Sequence, residues 1–181
     1  VLACSHTHCG PVVGENLLTM YKLDDTQREH VTRYTEFFEK SVRGLAARAL
    51  ADLRPVRVSW ESGRCDFAVN RRNNKETEVP DLRSKLALEG PVDHDAPVLR
   101  VSGEDGSLKA AVFGYACHCT VLSFNKFCGD YAGFAQIALE RKFPGSQAMF
   151  VAGCGGDQNP LPRRSVELAQ KYGDELAGAV G

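Results

Sequence analysis

Apolar residues recur every three or four positions in the first third of the chain. After a candidate capping box formed by Thr26 and Glu29, they follow one stripe: Val31, Tyr34, Phe38, Val42, Leu45, Ala49 and Leu53. This spacing puts them on one face of a helix. The pattern therefore predicts a long helix over residues 24–53, buried along that stripe and ended by Pro55.

Shorter apolar runs with strand-like alternation follow. The segments VRVSW (56–60) and CDFAVN (65–70) are separated by a turn at Gly63, and a polar stretch over residues 71–85 reads as a surface loop. The segments PVLRVS and SLKAAVFGYACHC flank GEDG, which contains an Asp-Gly turn signal. They predict a β-hairpin that brings His118 to its far end.

Two further units combine a helix with a strand or a loop. Gly129-Asp130 is the expected cap of the helix YAGFAQIALERKF, which precedes the strand AMFVAG and the loop GCGGDQNPLP. Ser165 caps a last helix whose apolar face carries Val166, Ala169, Tyr172 and Leu176. Strands alternating with helices indicate an α/β fold with a mixed sheet flanked by helices.

Composition narrows the possible functions. With 181 residues, 22 basic and 23 acidic, the chain has a net charge of -1, which argues against a nucleic-acid partner. It has no apolar run of about 18 residues and hence no predicted transmembrane segment. The length fits one domain. Because the chain opens without Met and its final helical pattern has no stop signal, we expect residues 1–181 to be an incomplete part of a larger domain.

Histidines and cysteines dominate the candidate chemistry. In the opening segment ACSHTHCGP, read as a strand, His6 and His8 share one face, so they are either a metal or catalytic site or imidazoles in a core strand. His118 is a third imidazole at a strand end, and three such histidines fit a zinc site. Asp130 and Asp157 are candidate second-sphere acceptors, or simply a helix cap and a turn residue.

The seven cysteines are odd in number and contain no C-x-x-C pair. We therefore interpret most of them as small buried hydrophobic residues. A cysteine nucleophile, Cys9 or Cys119 beside His118, is an alternative. It is disfavoured because adjacent residues of a strand point to opposite faces.

Five motifs in the same order resemble the neutral (non-lysosomal, alkaline) ceramidases, zinc amidases that cleave the N-acyl bond of ceramide. CSHTHCGP is similar to their T-H-T-H-S-G-P signature, and VNRRNN to an N-R-S segment. The other three motifs are YACHCTVL, CGDYAGFA and GCGGDQNP, which resemble a V-H-P strand end, an S-G-D-N-x-G-Y-A helix start and an S-N-L-G-D-V-S-P loop. The resemblance implies a zinc-dependent amide hydrolase that acts on a lipid or other small-molecule substrate.

The resemblance also implies roles for individual residues. His6 and His118 would be zinc ligands, His8 would lie beside the metal-bound water and the substrate, and Arg71 would polarise the scissile carbonyl. The remaining ligands of the family, a Glu and a Tyr, would lie beyond Gly181, and the location would be secreted or periplasmic. Asp130 and Asp157 are expected to be structural supports and not ligands.

Two departures leave the substrate open. Gly153-Cys154 stands where the family has Ser-Asn, and Cys117 and Cys119 flank His118 where the family has V-H-P. The alternatives are therefore a zinc hydrolase of another amide or ester, and a non-catalytic domain with structural Cys and His residues. The sequence does not indicate an oligomeric state.

Overall fold

The protein is described from a computed structural model, which covers residues 2–181. Val1, part of the predicted opening strand, lies outside the described residues. The chain forms two compact units, of which the larger combines the segment up to Gly10 with Val56–Gly181 and the smaller is Pro11–Pro55. The expectation that residues 1–181 belong to a single larger domain stays a prediction.

The smaller unit contains a 3-10 turn, Leu18–Met20, and one long helix, α1, over Asp25–Ala51. The predicted helix is present, but its capping box is Asp24 with Gln27 and not Thr26 with Glu29. The Asp24 carboxylate accepts a hydrogen bond from the Gln27 N–H at 2.8 Å, and the Gln27 side chain accepts one from the Asp24 N–H at 3.0 Å. Aspartate caps as well as threonine does, so the helix begins at the earlier acceptor.

The predicted burial of the α1 stripe is wrong within this unit. No residue of α1 is buried, and Phe38 and Leu45 are 41% and 56% exposed. The periodicity correctly identified the helix, but burial needs a second element to cover the stripe. The described part of the smaller unit offers only a 3-10 turn and loops for that purpose.

A four-stranded mixed sheet forms the centre of the larger unit. Its strands are β1 (Arg57–Arg64), β3 (Asp95–Ser102), β4 (Leu108–Tyr115) and β5 (Gln147–Ala152), in that order. β1 pairs with β3 and β3 with β4 in antiparallel fashion, whereas β4 and β5 are parallel. A separate antiparallel pair joins β2 (Ala68–Asn70) to β6 (Gln158–Pro160). The mixed sheet and the hairpin are thus confirmed.

Three helices complete this unit: α2 (Val79–Ser84), α3 (Asp130–Lys142) and α4 (Val166–Val180). The predicted Ser165 cap of α4 is confirmed, because its hydroxyl accepts a hydrogen bond from the Leu168 N–H at 3.2 Å. Of the stretch predicted as a loop over residues 71–85, the last part is α2. The helices α3 and α4 pack against each other, and α3 also contacts β5.

The boundary predicted at Gly63 is wrong, because β1 continues through this residue. A Cβ atom at Gly63 would lie 1.9 Å from the carbonyl oxygen of Ala179 in α4. The glycine therefore permits close helix-to-strand packing inside the strand and does not form a turn. The segment CDFAVN forms a strand only over its last three residues, where it pairs with β6.

The core of the larger unit is rich in aromatic side chains. Phe67 stacks on Tyr172 of α4 with ring centroids 4.6 Å apart and also contacts Tyr115 and Tyr131. The Tyr115 hydroxyl donates to the Cys65 carbonyl at 2.7 Å, so the polar end of this buried ring has a partner. Along residues 2–181, no helix has the length and hydrophobicity needed to cross a membrane.

Candidate active site

Three imidazoles meet in the larger unit, two from the opening segment and a third, His118, from far along the sequence. The ring centroids of His6 and His118 are 4.7 Å apart with nearly parallel planes, and those of His6 and His8 are 5.1 Å apart. The Nε2 atoms of His6 and His8 approach to 3.3 Å. Sequence reasoning therefore identified a cluster that the fold does bring together.

The segment that carries His6 and His8 is not the predicted strand. Residues 2–7 have no regular secondary structure, and a turn begins at His8. His6 has a positive φ of 63°, an uncommon conformation for a residue with a side chain. The two imidazoles meet because the backbone bends at His6, and not because they share a strand face. Strained backbone of this kind often occurs at functional sites.

Hydrogen bonds to Cys128 hold this segment in place. The Thr7 hydroxyl donates to the Cys128 carbonyl at 2.8 Å and accepts from the Cys9 N–H at 3.2 Å. The Cys128 N–H in turn donates to the Cys9 carbonyl at 3.0 Å. These contacts fix the backbone on both sides of His8, which lies between Thr7 and Cys9.

His118 lies just beyond the end of β4, as the hairpin predicted. The backbone N–H of His118 donates to the Gln158 carbonyl at 3.0 Å, and the buried Tyr131 hydroxyl donates to the Cys117 carbonyl at 2.7 Å. The glycine-rich loop packs directly on the same segment, since a Cβ atom at Gly155 would lie 2.5 Å from the Cys117 nitrogen. At Gly155 the loop approaches the protein's own backbone, whereas the sequence indicated approach to a ligand.

The surroundings of His8 and His118 favour the neutral form of these two imidazoles. Burial, with the positive charge of Arg71 and the adjacent His6 and His8, lowers the pKa of His118 to about 4. Burial and His6 also lower the pKa of His8 below its ordinary value. At neutral pH His118 therefore keeps a free electron pair on its ring, as a metal ligand or proton acceptor requires.

Arg71 follows β2 and reaches the same site. Its N–H donates to the Asp157 carbonyl at 2.8 Å, and its Nη2 donates to the Gly156 carbonyl at 2.8 Å. Arg71, His8 and His118 line one cavity of about 140 Å³. The predicted catalytic pair and one predicted metal ligand thus face a common space, which is large enough for a small polar group.

No protein-family profile matches the chain. Among curated proteins, it is 27% identical to neutral ceramidase B of Dictyostelium discoideum over 184 residues, which is 90% of this chain and 24% of that protein. The chain is similar to the neutral ceramidases.

Two solved structures share the fold of this ceramidase-like chain. A ceramidase complexed with C2 superposes with a TM-score of 0.72 at 22% identity over 98% of this chain and 29% of that one. The neutral ceramidase of Pseudomonas aeruginosa superposes with a TM-score of 0.68 at 21% identity, over 98% of this chain and 30% of that one. The chain thus spans under a third of the length of the relatives it matches, and the resemblance expected from its motifs is confirmed.

Asp130 in the ceramidase-like chain supports the loop after His118. Its carboxylate accepts hydrogen bonds from the backbone N–H groups of Val121, Leu122 and Tyr131 at 3.2, 2.9 and 2.8 Å. The predicted bond to a first-turn N–H of α3 is confirmed by Tyr131, but the N-cap itself is Gly129 and not Asp130. Asp130 is completely buried, and this burial raises the pKa of its carboxyl. It therefore connects the start of α3 to the loop that leaves the site.

Asp157 anchors the opposite side of the site. Its carboxylate accepts a hydrogen bond from the Asn70 side-chain amide at 3.1 Å, and its carbonyl holds the backbone of Arg71. These contacts agree with the predicted supporting role. Within the part of the chain that the structure covers, no group of three or more His, Cys, Asp and Glu side chains has an arrangement suited to holding a metal ion. Metal binding therefore remains an inference from the imidazoles.

The cysteines behave largely as small buried residues. Cys9, Cys65, Cys117 and Cys119 are buried, whereas Cys4 and Cys154 are exposed. Burial raises the pKa of Cys119 to about 12, so its thiol stays protonated at neutral pH. Because the thiolate is the reactive form, Cys119 is a poor nucleophile despite its position next to His118.

Sequence reasoning missed Arg163 and Arg164, which line the cavity together with Thr120. The available signal was the pair of arginines that directly follows the glycine-rich loop in the segment NPLPRRS. These two arginines come close to Arg71 only because β2 pairs with β6, which joins residues about 90 positions apart.

Proposed function

We propose that this chain carries part of the active site of a zinc-dependent amide hydrolase that cleaves the N-acyl bond of ceramide or of a related lipid amide. The carrying observation is that His6, His8, His118 and Arg71 converge on one small region of the larger unit. The sequence similarity to neutral ceramidase B supports the reaction class. The substrate and the metal are part of this proposal.

His6 and His118 are the proposed zinc ligands in this chain. Their ring centroids lie 4.7 Å apart, and His118 is neutral at pH 7, so the donor chemistry fits the metal. Tetrahedral ligand nitrogens about 2.1 Å from zinc are about 3.4 Å from each other. Since His6 and His8 have Nε2 atoms 3.3 Å apart, an exchange of roles between His8 and His118 is the alternative that variants must test.

Zinc, when bound, lowers the pKa of water to about 7 and so supplies a nucleophile at neutral pH. His8, with its lowered pKa, accepts a proton from the attacking water and returns it to the departing amine. Arg71 donates to the carbonyl oxygen, on which negative charge develops in the transition state. Its bond to the Gly156 carbonyl fixes the guanidinium at the edge of the cavity.

The test uses the complete protein with fluorescently labelled ceramide as substrate. We expect stoichiometric zinc by mass spectrometry, release of labelled fatty acid, loss of release with a chelator and recovery with zinc. Arg71→Ala should reduce kcat roughly 100-fold, the scale of losing an oxyanion donor. Arg72→Ala is the matched control, because Arg72 is adjacent and exposed but does not line the cavity.

Two outcomes would contradict the proposal. Stoichiometric zinc without hydrolysis of ceramide or other N-acyl amides would favour a non-catalytic metal-binding domain. Hydrolysis that survives complete removal of metal would exclude a zinc mechanism.

A further inference from the structure

The cavity beside the three histidines has an unusual balance of charge. Arg71, Arg163 and Arg164 line it together with His8 and His118, and none of the described lining residues is Asp or Glu. Glu76, which pairs with two of these arginines from outside the lining, neutralises one positive charge. The Asp130 carboxylate also acts on His8 from behind the lining, so one positive charge remains uncompensated and the cavity favours an anionic occupant over a neutral one.

Arg163 is held rigidly in the wall of this cavity. Its Nε and Nη2 both donate to Glu76 Oε2, at 3.1 and 2.6 Å, and only 23% of its side chain is exposed. The hydrogen bond to Arg163 holds the pKa of Glu76 below its ordinary value, so Glu76 is ionised at neutral pH. A guanidinium has five N–H donors, and these contacts use two of them. Arg163 therefore keeps donors for a ligand.

Thr120 provides an independent sign of a missing partner. It lines the same cavity, is only 7% exposed, and its buried hydroxyl has no hydrogen-bond partner among the described residues. Leaving a buried hydroxyl unpaired costs about 1–3 kcal/mol. Because the Thr120 oxygen is inaccessible to solvent in this orientation, its side chain would have to rotate before it could donate to an oxyanion bound by the guanidinium groups.

We propose that Arg163 is a specificity-determining residue and that this cavity binds a carboxylate carried by the substrate near its scissile amide. The inference rests on the proposed function for the amide and goes beyond it, because ceramide carries no charge. Glu76 acts as a positioning residue that orients Arg163. A carboxylate suits the cavity volume of about 140 Å³, and its two oxygens match the planar fork of a guanidinium.

Equilibrium binding to the complete, metal-free protein tests the carboxylate site without turnover. The probes are N-lauroylglycine and N-lauroylethanolamine, which differ in having a carboxylate or a hydroxymethyl group on the amine side. We expect N-lauroylglycine to bind at least 10-fold more tightly, and Arg163→Gln to remove that preference. Arg72→Gln, which removes an equal charge from an exposed position outside the cavity, should leave the preference unchanged.

Hydrolysis by the zinc-loaded protein provides the second readout. A third substrate, the N-ethyl monoamide of dodecylsuccinic acid, carries its carboxylate on the acyl side within two carbons of the amide and distinguishes the two possible sources of charge. We expect N-lauroylglycine to have the highest kcat/KM of the three amides. The ratio to the neutral amide should fall at least 10-fold in Arg163→Gln and less in Glu76→Gln. If Arg163 had only a structural role, Arg163→Gln would lower kcat/KM for charged and neutral amides equally.

Failure of this inference is separable from failure of the proposed function. Equal binding of the charged and neutral probes, or a preference that survives Arg163→Gln, would overturn the carboxylate site even if ceramide is hydrolysed. Preference for a phosphate-bearing amide over both carboxylates would also overturn it. Arg163-dependent binding of N-lauroylglycine without hydrolysis of any amide would support the site and contradict the proposed function.

Discussion

The segment around His118 is buried on both sides of the imidazole, whereas the segment that carries His6 and His8 is largely exposed. Cys117 and Cys119 are buried next to His118, and a backbone hydrogen bond to Gln158 and one from the Tyr131 hydroxyl hold that segment. The other two histidines depend on a short irregular segment attached through Thr7 and Cys9. One part of the cluster is thus built into the core, and the other is attached to its surface.

This difference has a functional meaning within the proposed site. A ligand that follows a core strand keeps its position at little conformational cost, which favours the role of a metal anchor. His8, on the exposed segment, is easier to displace and better suited to exchanging protons with solvent and substrate, whereas His6 would bind zinc from the bend at its positive φ. The comparison leads to four predictions, in order of decreasing effect.

The largest effect is expected when the three histidines are replaced individually by alanine in the complete protein. His6→Ala and His118→Ala should lose both zinc and activity. His8→Ala should retain stoichiometric zinc and lose roughly 100-fold or more in kcat, the scale of a general acid or base. Metal analysis and single-substrate kinetics on the same preparations distinguish these outcomes. If His8→Ala loses zinc while His6→Ala or His118→Ala retains it, the assignment of ligands is wrong.

Two glycines provide a matched test of the support beneath His118. In Gly155→Ala the new Cβ atom would lie 2.5 Å from the Cys117 nitrogen, so the loop or the segment after β4 must shift. In Gly156→Ala the new atom would have no neighbour within 4 Å. We expect Gly155→Ala to lower the free energy of unfolding by roughly 2–3 kcal/mol, in the upper range for overpacking, and to weaken zinc binding. Equal stability of the two variants in urea unfolding would contradict this.

Much of this fold could be predicted because its signals are local. The Asp-Gly turn identified the hairpin of β3 and β4, and with it the position of His118, because turn chemistry acts over a few residues. The Ser165 cap identified the start of α4 in the same way. The resemblance between motifs supplied the candidate roles, which neither periodicity nor spacing contained.

The misplaced capping box of α1 is a local error between two nearby acceptors, but three other failures depend on residues distant in the sequence. The positive φ of His6 accompanies hydrogen bonds between its segment and Cys128, more than 100 residues away. The incomplete burial of the α1 stripe could not be predicted, because periodicity indicates a helix but not which element covers it. Arg163 reaches the cavity only through strand pairing across the unit.

The pH dependence of His118 provides the third prediction. Its pKa is lowered to about 4 in the folded protein from 6.5, so the unfolded chain binds the proton more readily between these values. The free energy of unfolding of the metal-free protein should therefore fall as the pH drops from 6.5 towards 4. His118→Gln should weaken this dependence, as measured by urea unfolding at several pH values. An NMR titration of His118 with a midpoint near 6.5 would show that the imidazole is not shielded as described.

The smallest effect is expected at the exposed part of the cluster, in Thr7→Val. Valine keeps the branched shape but removes the hydroxyl that links the Cys128 carbonyl to the Cys9 N–H. Because both hydrogen bonds are only partly buried, water can replace them, and their loss should lower the free energy of unfolding by only about 1 kcal/mol. The position of His8 depends on the same link, so kcat should fall several-fold while zinc content remains stoichiometric. Thr7→Ser, which restores the hydroxyl, should recover most of kcat. If Thr7→Val instead released zinc without reducing kcat per bound metal, the link through Thr7 would support the ligand His6 and not the position of His8, and the role given to His8 on the exposed segment would be wrong.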